Sequence, residues 1–168
     1  MDEYDSIVCN NVWDVVPRPE DKSMVSSRWL DKVKQATYSS VEKHKARFVA
    51  HGFSQVEGID YHETFAPVAR YSSIKSILIL SVRMGWKIHM MDVNTTFLNG
   101  TIEEEVYIEE PQGFETFDHE SHVCRLKRAL YGLKQTPHAW YTRIDIYFTG
   151  LGFTKSEVGE NLYHIVVE

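Results

Sequence analysis

Apolar and polar residues alternate along two neighbouring segments in the first third of the chain, and this pattern predicts two β-strands. Residues 27–35 and 41–51 both follow a period of two. The intervening residues 36–40 would close a hairpin, although they lack the Asn-Gly or Asp-Gly pair that favours a tight turn. We therefore expect an antiparallel hairpin over residues 27–51.

The second predicted strand concentrates positive charge on one face. Lys43, Lys45 and Arg47 occupy alternate positions and so point to the same side, while Phe48 can pack on the other side. Like charges crowded on one strand face repel one another, and a bound polyanion would relieve that repulsion. An exposed edge strand that lysine and arginine protect from aggregation is the alternative interpretation.

Two helices are predicted from helical spacing and end signals. The first begins at Ser72 or Ser73, ends at Gly85 and is expected to bury an apolar stripe. That stripe consists of Ile74, Ile77, Leu78, Val82 and Met84. The second helix is expected to have Thr136 as its N-cap and Pro137 at its first position. Short apolar runs predict strands at 106–108, 123–126 and 162–167.

Asp92 stands out because it is a lone acid at the end of an apolar run. Residues 87–93 predict a short strand that delivers this carboxylate to its end, and a turn closing at 99–100 follows. Such an acid is costly to bury unless it is paired or bound to a metal, so Asp92 is a candidate functional residue. A strand-terminal Asp that makes turn hydrogen bonds is the alternative.

Composition and charge narrow the class of protein. The 168 residues are 43% hydrophobic and 12% aromatic, as in a globular domain without a membrane span, and the two cysteines favour a reducing intracellular setting. Residues 1–20 resemble a connecting arm with a weakly helical start, and Pro17 and Pro19 are expected to stop any regular element where they lie. The net charge of −6 argues against a generic nucleic-acid coat, but six Lys or Arg residues lie in 28–47 and eight acids in 103–120. The first segment could meet phosphates, whereas the second would repel them.

Several blocks, in order, resemble the reverse transcriptase of copia-type LTR retrotransposons, in its N-terminal part. They are KARFVA at 45–50, GFSQ at 52–55, EGIDY at 57–61, TFAPV at 64–68, DV at 92–93, FLNG at 97–100, EEVYI at 104–108 and LYGLKQ at 130–135. The resemblance covers nearly the whole chain, and several blocks in the right order are far more specific than any one alone.

The resemblance implies an α+β fold made of the fingers and a partial palm of a right-hand polymerase. It divides the chain into an N-terminal arm over 1–20, a fingers-like region with the basic hairpin over 21–85 and a partial palm over 86–168. The implied activity is RNA-directed DNA synthesis from an RNA template, a DNA primer and deoxynucleoside triphosphates. Two Mg²⁺ (or Mn²⁺) ions would hold the reacting oxygens.

The resemblance also implies roles for individual residues. Asp92 matches the catalytic, metal-binding carboxylate, and the backbone carbonyl of Val93 would also face a metal ion. Phe97 matches the ring that stacks under the sugar and excludes a 2′-hydroxyl, although a core aromatic is the alternative. Tyr131 and Gly132 begin the segment, ending at residue 137, that borders nucleotide and template.

The basic strand matches the block that cradles the triphosphate. Lys45 and Arg47 are the candidates for the nucleotide, and together with Lys43 for the nucleic acid. Which of the three contacts the triphosphate stays open.

Some positions depart from the family's pattern, and they bear on activity. Thr96 stands where Ala is usual, next to Phe97, and its added bulk and hydroxyl affect the nucleotide fit. The family's second acidic motif, Tyr-x-Asp-Asp, is expected after the last strand, and the chain holds no Asp-Asp pair. We expect that this chain alone does not polymerise, and that Mg²⁺ binding requires the missing motif. A nucleic-acid-binding remnant and a decayed copy without selected function are the alternatives.

Overall fold

The computed structural model describes residues 2–35, 41–116 and 121–166, except for the side chains of 2, 34, 35 and 41–43. Within these ranges the fold is mixed α and β. The helices are α1 (Asp2–Cys9), α2 (Tyr71–Met84) and α3 (Thr136–Gly150). The strands are β1 (Trp13–Pro17), β2 (Met24–Val25), β3 (Ser27–Gln35), β4 (Val41–Ala50), β5 (Tyr107–Ile108), β6 (His122–Leu126), β7 (Thr154–Ser156) and β8 (Gly159–His164). Short 3₁₀ helices cover Gly52–Ser54 and Thr96–Asn99.

A four-stranded sheet has the strand order β1-β6-β5-β2. The strand β1 is antiparallel to β6, and β2 is parallel to β5. The strand β1 was not predicted, but it ends at Pro17, where the prolines were expected to stop a regular element. This strand lies at the edge of the sheet, where a proline that lacks an N–H is tolerated.

The hairpin of β3 and β4 is confirmed, with Trp29 opposite Phe48 and Lys32 opposite Lys45. Phe48 is only 1% exposed, whereas Lys45 and Arg47 are exposed, so the predicted division between the two faces is also confirmed. Both the predicted turn at 36–40 and the side chain of Lys43 lie outside the described residues.

One buried cluster connects the hairpin, the four-stranded sheet and the segment that precedes α3. Phe48 contributes a ring that lies 5.0 Å from Trp29 and 5.9 Å from Trp13, measured between ring centroids. The other large members of the cluster include Ile7, Val25, Leu98, Ile108, Leu126 and Leu130. Since these side chains come from blocks far apart in the chain, burial of apolar surface brings those blocks together.

The helix α2 forms as predicted, but its apolar stripe is not buried. It ends at Gly85, which has a φ of 67°, and it begins after Arg70 without a side-chain cap at a serine. The five stripe residues are all exposed, and Ser81 is the buried residue of this helix. Helical spacing indicates which face of a helix can be buried, but burial also requires another element that packs against that face.

The predicted strand at 87–93 is wrong. These residues have no regular secondary structure and are exposed, Met90 to 97%. A strand requires a neighbour for its N–H and C=O groups, and the sheets of the described chain do not include this segment. A 3₁₀ helix, Thr96–Asn99, leads into Gly100 in place of the predicted turn.

The elements at the C-terminal end differ from prediction in detail. Thr136 does not cap α3, because Gln135 is the N-cap and the Thr136 hydroxyl instead donates to the Leu130 carbonyl at 2.6 Å. Pro137 is therefore the second residue of α3 and not the first, although it still lies in the first turn. The last strand covers Gly159–His164, earlier than the predicted 162–167. In the part of the chain that the structure describes, no helix is long and apolar enough to cross a membrane.

The two cysteines provide a chemical test of the fold. Cys9 is exposed, whereas Cys124 is buried in β6, and burial raises the pKa of the Cys124 thiol to about 12. Because the thiolate is the reactive form, we expect one fast-reacting thiol per chain with Ellman's reagent at about pH 8. The variant C9S should lose that fast reaction, and guanidinium should expose the second thiol. Two fast thiols in the native wild-type protein would contradict the fold.

Candidate functional site

The edge of β4 that does not pair with β3 meets the segment that precedes α3. The Ala50 N–H donates to the Tyr131 carbonyl at 2.8 Å, and Val49 forms a parallel bridge with Tyr131. The basic strand and the segment at 131–137, which the family resemblance assigned to the nucleotide, are therefore neighbours in space at Tyr131.

The ring of Tyr131 contacts two other predicted site residues, Arg47 and Phe97. The guanidinium carbon of Arg47 lies 5.2 Å from the Tyr131 ring centroid, within the range of a cation–π contact. The Phe97 ring meets the same ring edge-on, with centroids 5.4 Å apart. Burial raises the pKa of the Tyr131 hydroxyl, as does the nearby charge of Glu3, while Arg47 lowers it. A cation, a flat apolar ring and a phenol thus share one small surface.

Gly132 is required by the close approach of the two backbones. Its φ is +91°, and a Cβ at this position would overlap the carbonyl oxygen of Ala50 and lie 2.7 Å from the Val49 side chain. A larger residue would push the segment away from β4. The structure therefore explains Gly132 by backbone contact, without reference to a ligand.

Two buried glutamines fix this arrangement, and the sequence assigned no role to them. Gln55 donates to the Gln135 side chain at 3.0 Å and accepts from the Lys134 N–H at 2.8 Å. Gln135 in turn donates to the Asp60 carbonyl at 2.9 Å, and the Asp60 carboxylate accepts from the Val56 N–H at 2.7 Å. No local sequence signal marks these glutamines as buried, since Gln55 follows Ser54 and Gln135 follows Lys134.

The cationic surface extends over both strands of the hairpin. Lys32 lies opposite Lys45, and Arg28 lies two pairs beyond Arg47 on the same face, so four described cations share it. Lys43 lies opposite residue 34 in the same register. The sequence placed cations on both strands but assigned a shared face only to those of β4, because the alignment of the β3 cations with that face depends on the pairing register.

Asp92 and Val93 are separate from these contacts. Asp92 is exposed in the irregular segment, and the Val93 carbonyl accepts a hydrogen bond from the Thr96 hydroxyl at 2.6 Å. Among the described residues no group of three or more His, Cys, Asp or Glu side chains could hold a metal ion. One carboxylate and one occupied carbonyl do not fit a site for two divalent ions. The residues present thus do not match the implied metal centre.

A family model described as "Reverse transcriptase (RNA-dependent DNA polymerase)" matches residues 10–166, so the chain belongs to this family. The retrotransposon relatives confirm the copia-type resemblance. The chain is 41% and 40% identical to the retrovirus-related Pol polyproteins from transposons RE2 and RE1 of Arabidopsis thaliana, over 96% of its length. It is 37% identical, over 93% of its length, to that from transposon TNT 1-94 of Nicotiana tabacum.

The chain spans about a tenth of the length of these relatives, namely 11%, 11% and 12%. No solved structure matches it.

The contact between Gly132 and Ala50 predicts a large effect of one methyl group. We expect G132A to lower the free energy of unfolding by about 3 kcal/mol or more, because the Cβ forces the two backbones apart. G152A is the matched control: Gly152 also has a positive φ, of +87°, but its nearest neighbour to a Cβ lies at 3.7 Å. This control should lose only about 1 kcal/mol, from left-handed strain. Urea denaturation measures both, and equal losses would contradict the close approach.

Proposed function

We propose that this chain contributes the nucleotide- and nucleic-acid-binding part of a copia-type reverse transcriptase. In this proposal residues 21–85 form a fingers-like region, residues 86–168 form a partial palm, and residues 1–20 form an arm. The main support is the Tyr131 ring, which contacts both Arg47 and Phe97. The family fold and the relatives' names are consistent with RNA-directed DNA synthesis by the whole polyprotein.

The proposed nucleotide site combines cations for the triphosphate with an apolar ring for the sugar. Arg47 and Lys45 attract the triphosphate, and the Tyr131 ring makes a cation–π contact with the guanidinium of Arg47. Phe97 offers a flat apolar surface to the deoxyribose, which would exclude a 2′-hydroxyl, and Tyr131 supports that ring from its edge. Gly132 allows its own backbone to lie close to β4, next to Arg47 and Tyr131.

The hairpin face is the proposed contact for the RNA template and the DNA primer. Its described cations are Arg28, Lys32, Lys45 and Arg47, and Lys43 follows along β4. Such a surface binds phosphates without reading sequence. Because this surface does not depend on Asp92, a nucleic-acid-binding module without catalysis is the second candidate function.

Divalent metal ions are a general requirement of reverse transcriptases, and Asp92 and Val93 are our candidate ligands in this chain. Since the described residues do not fit a two-ion site, we derive no catalytic step from them. The proposed contribution of this chain is the binding and orientation of substrates.

Removal of single cations should change the salt dependence of binding. Log Kd for an RNA–DNA hybrid, measured by fluorescence anisotropy, should vary linearly with log salt concentration. We expect K45A and R47A each to reduce the slope by about one, because each removes one phosphate contact.

The matched control is K75A, which removes an exposed lysine of α2 outside the hairpin. Its slope should equal that of the wild type. If K75A reduces the slope as much as K45A, the hairpin is not the binding surface.

A further inference from the structure

The helix α1 packs against β4. It lies at the edge of β4 that does not pair with β3, which is also the edge that meets Tyr131. It is anchored by Ile7, which is 1% exposed, and by Tyr4, whose ring stacks on Phe114 with centroids 4.1 Å apart. Glu3 lies one turn before Ile7, so the two side chains share a face of the helix. The fold thus directs an acidic side chain towards β4.

The Glu3 carboxylate reaches the backbone of the basic strand. The nearby Phe48 N–H lowers the pKa of Glu3, and the next N–H on the same edge, that of Ala50, donates to the Tyr131 carbonyl. Alternate N–H groups along a strand point to the same side, about 7 Å apart. The Glu3 carboxylate and the Tyr131 carbonyl therefore lie beside successive N–H groups along one edge of β4, and Arg47 directly precedes the first of these residues, Phe48.

The environment of this carboxylate is unusual for a surface helix. The Oε1 atom of Glu3 is buried and has no hydrogen-bond partner. Burial raises the pKa of Glu3, while the charges of Arg47 and Lys45 lower it. Partial burial of a carboxylate costs free energy, and the attraction of the two nearby cations offsets part of that cost.

We infer that Glu3 belongs to the proposed phosphate site and lowers its affinity for polyphosphate by offsetting the positive charge of Arg47 and Lys45. This inference rests on the proposed function, since it requires polyphosphate to bind at those two cations. The ligand class is a chain of linked phosphates, such as the triphosphate of a nucleotide. Such a multivalent anion competes with a single carboxylate far better than a monovalent anion does.

The test is binding of inorganic tripolyphosphate to the full 168-residue chain, measured by calorimetric titration at about 50 mM salt. The variant E3Q keeps the size and a carbonyl oxygen of the side chain but removes the charge, and we expect it to bind about fivefold or more tightly. The matched control D5N removes an exposed charge from the same helix and should change Kd less than twofold. The gain from E3Q should shrink as salt increases, whereas an effect through folding would not.

The outcomes separate this inference from the proposed function. If E3Q and D5N change Kd equally, or if the effect of E3Q does not respond to salt, Glu3 is not part of the site. If R47A leaves tripolyphosphate binding unchanged, or if wild type and E3Q both fail to bind, the proposed phosphate site itself is wrong. Tighter binding by E3Q that R47A abolishes in the double variant would support both.

Discussion

The hydrogen bond from the Ala50 N–H to the Tyr131 carbonyl is the contact on which the candidate site depends. It joins β4 to a segment some 80 positions later in the chain, and Gly132 allows the backbones to approach because it has no side chain. The Gln55–Gln135 hydrogen bond joins the residues that follow these two segments. Without this junction the Tyr131 ring would not contact Arg47.

Elements that follow from local pattern were predicted well from the sequence. The alternation along β3 and β4 was sufficient to identify the hairpin and the division between its faces, because side-chain direction in a strand depends only on position. The end of α2 at Gly85 likewise follows from a local preference for the left-handed conformation. The family resemblance supplied the order of the blocks and the candidate residues.

Features that depend on a partner elsewhere in the chain were missed. The strand β1 was not expected, because it forms by pairing with β6, far away in the chain, and this pairing stabilises a run that ends in proline. The apolar stripe of α2 was expected to be buried but is exposed, and the run at 87–93 was expected to form a strand but has no regular secondary structure. Glu3 carried no sequence signal, because its importance comes from the docking of α1 on β4.

The described chain therefore combines a well-packed region with a more open one. The hairpin, the four-stranded sheet and the segment that precedes α3 share one core, and the cluster around Tyr131 is built on it. The segment with Asp92 lies outside that core. The proposed phosphate- and sugar-binding residues thus lie on the packed region, whereas the proposed metal ligands lie on the exposed one.

Native-state hydrogen exchange tests the central junction most directly. The account predicts that the amides of Ala50 and Lys134 exchange slowly, at rates close to those in the centre of β4, because both are held by contacts across the junction. The amides of Met90 and Met91, in the exposed irregular segment, should exchange fast and serve as the internal reference. Exchange of Ala50 and Lys134 as fast as that of Met90 would contradict the account.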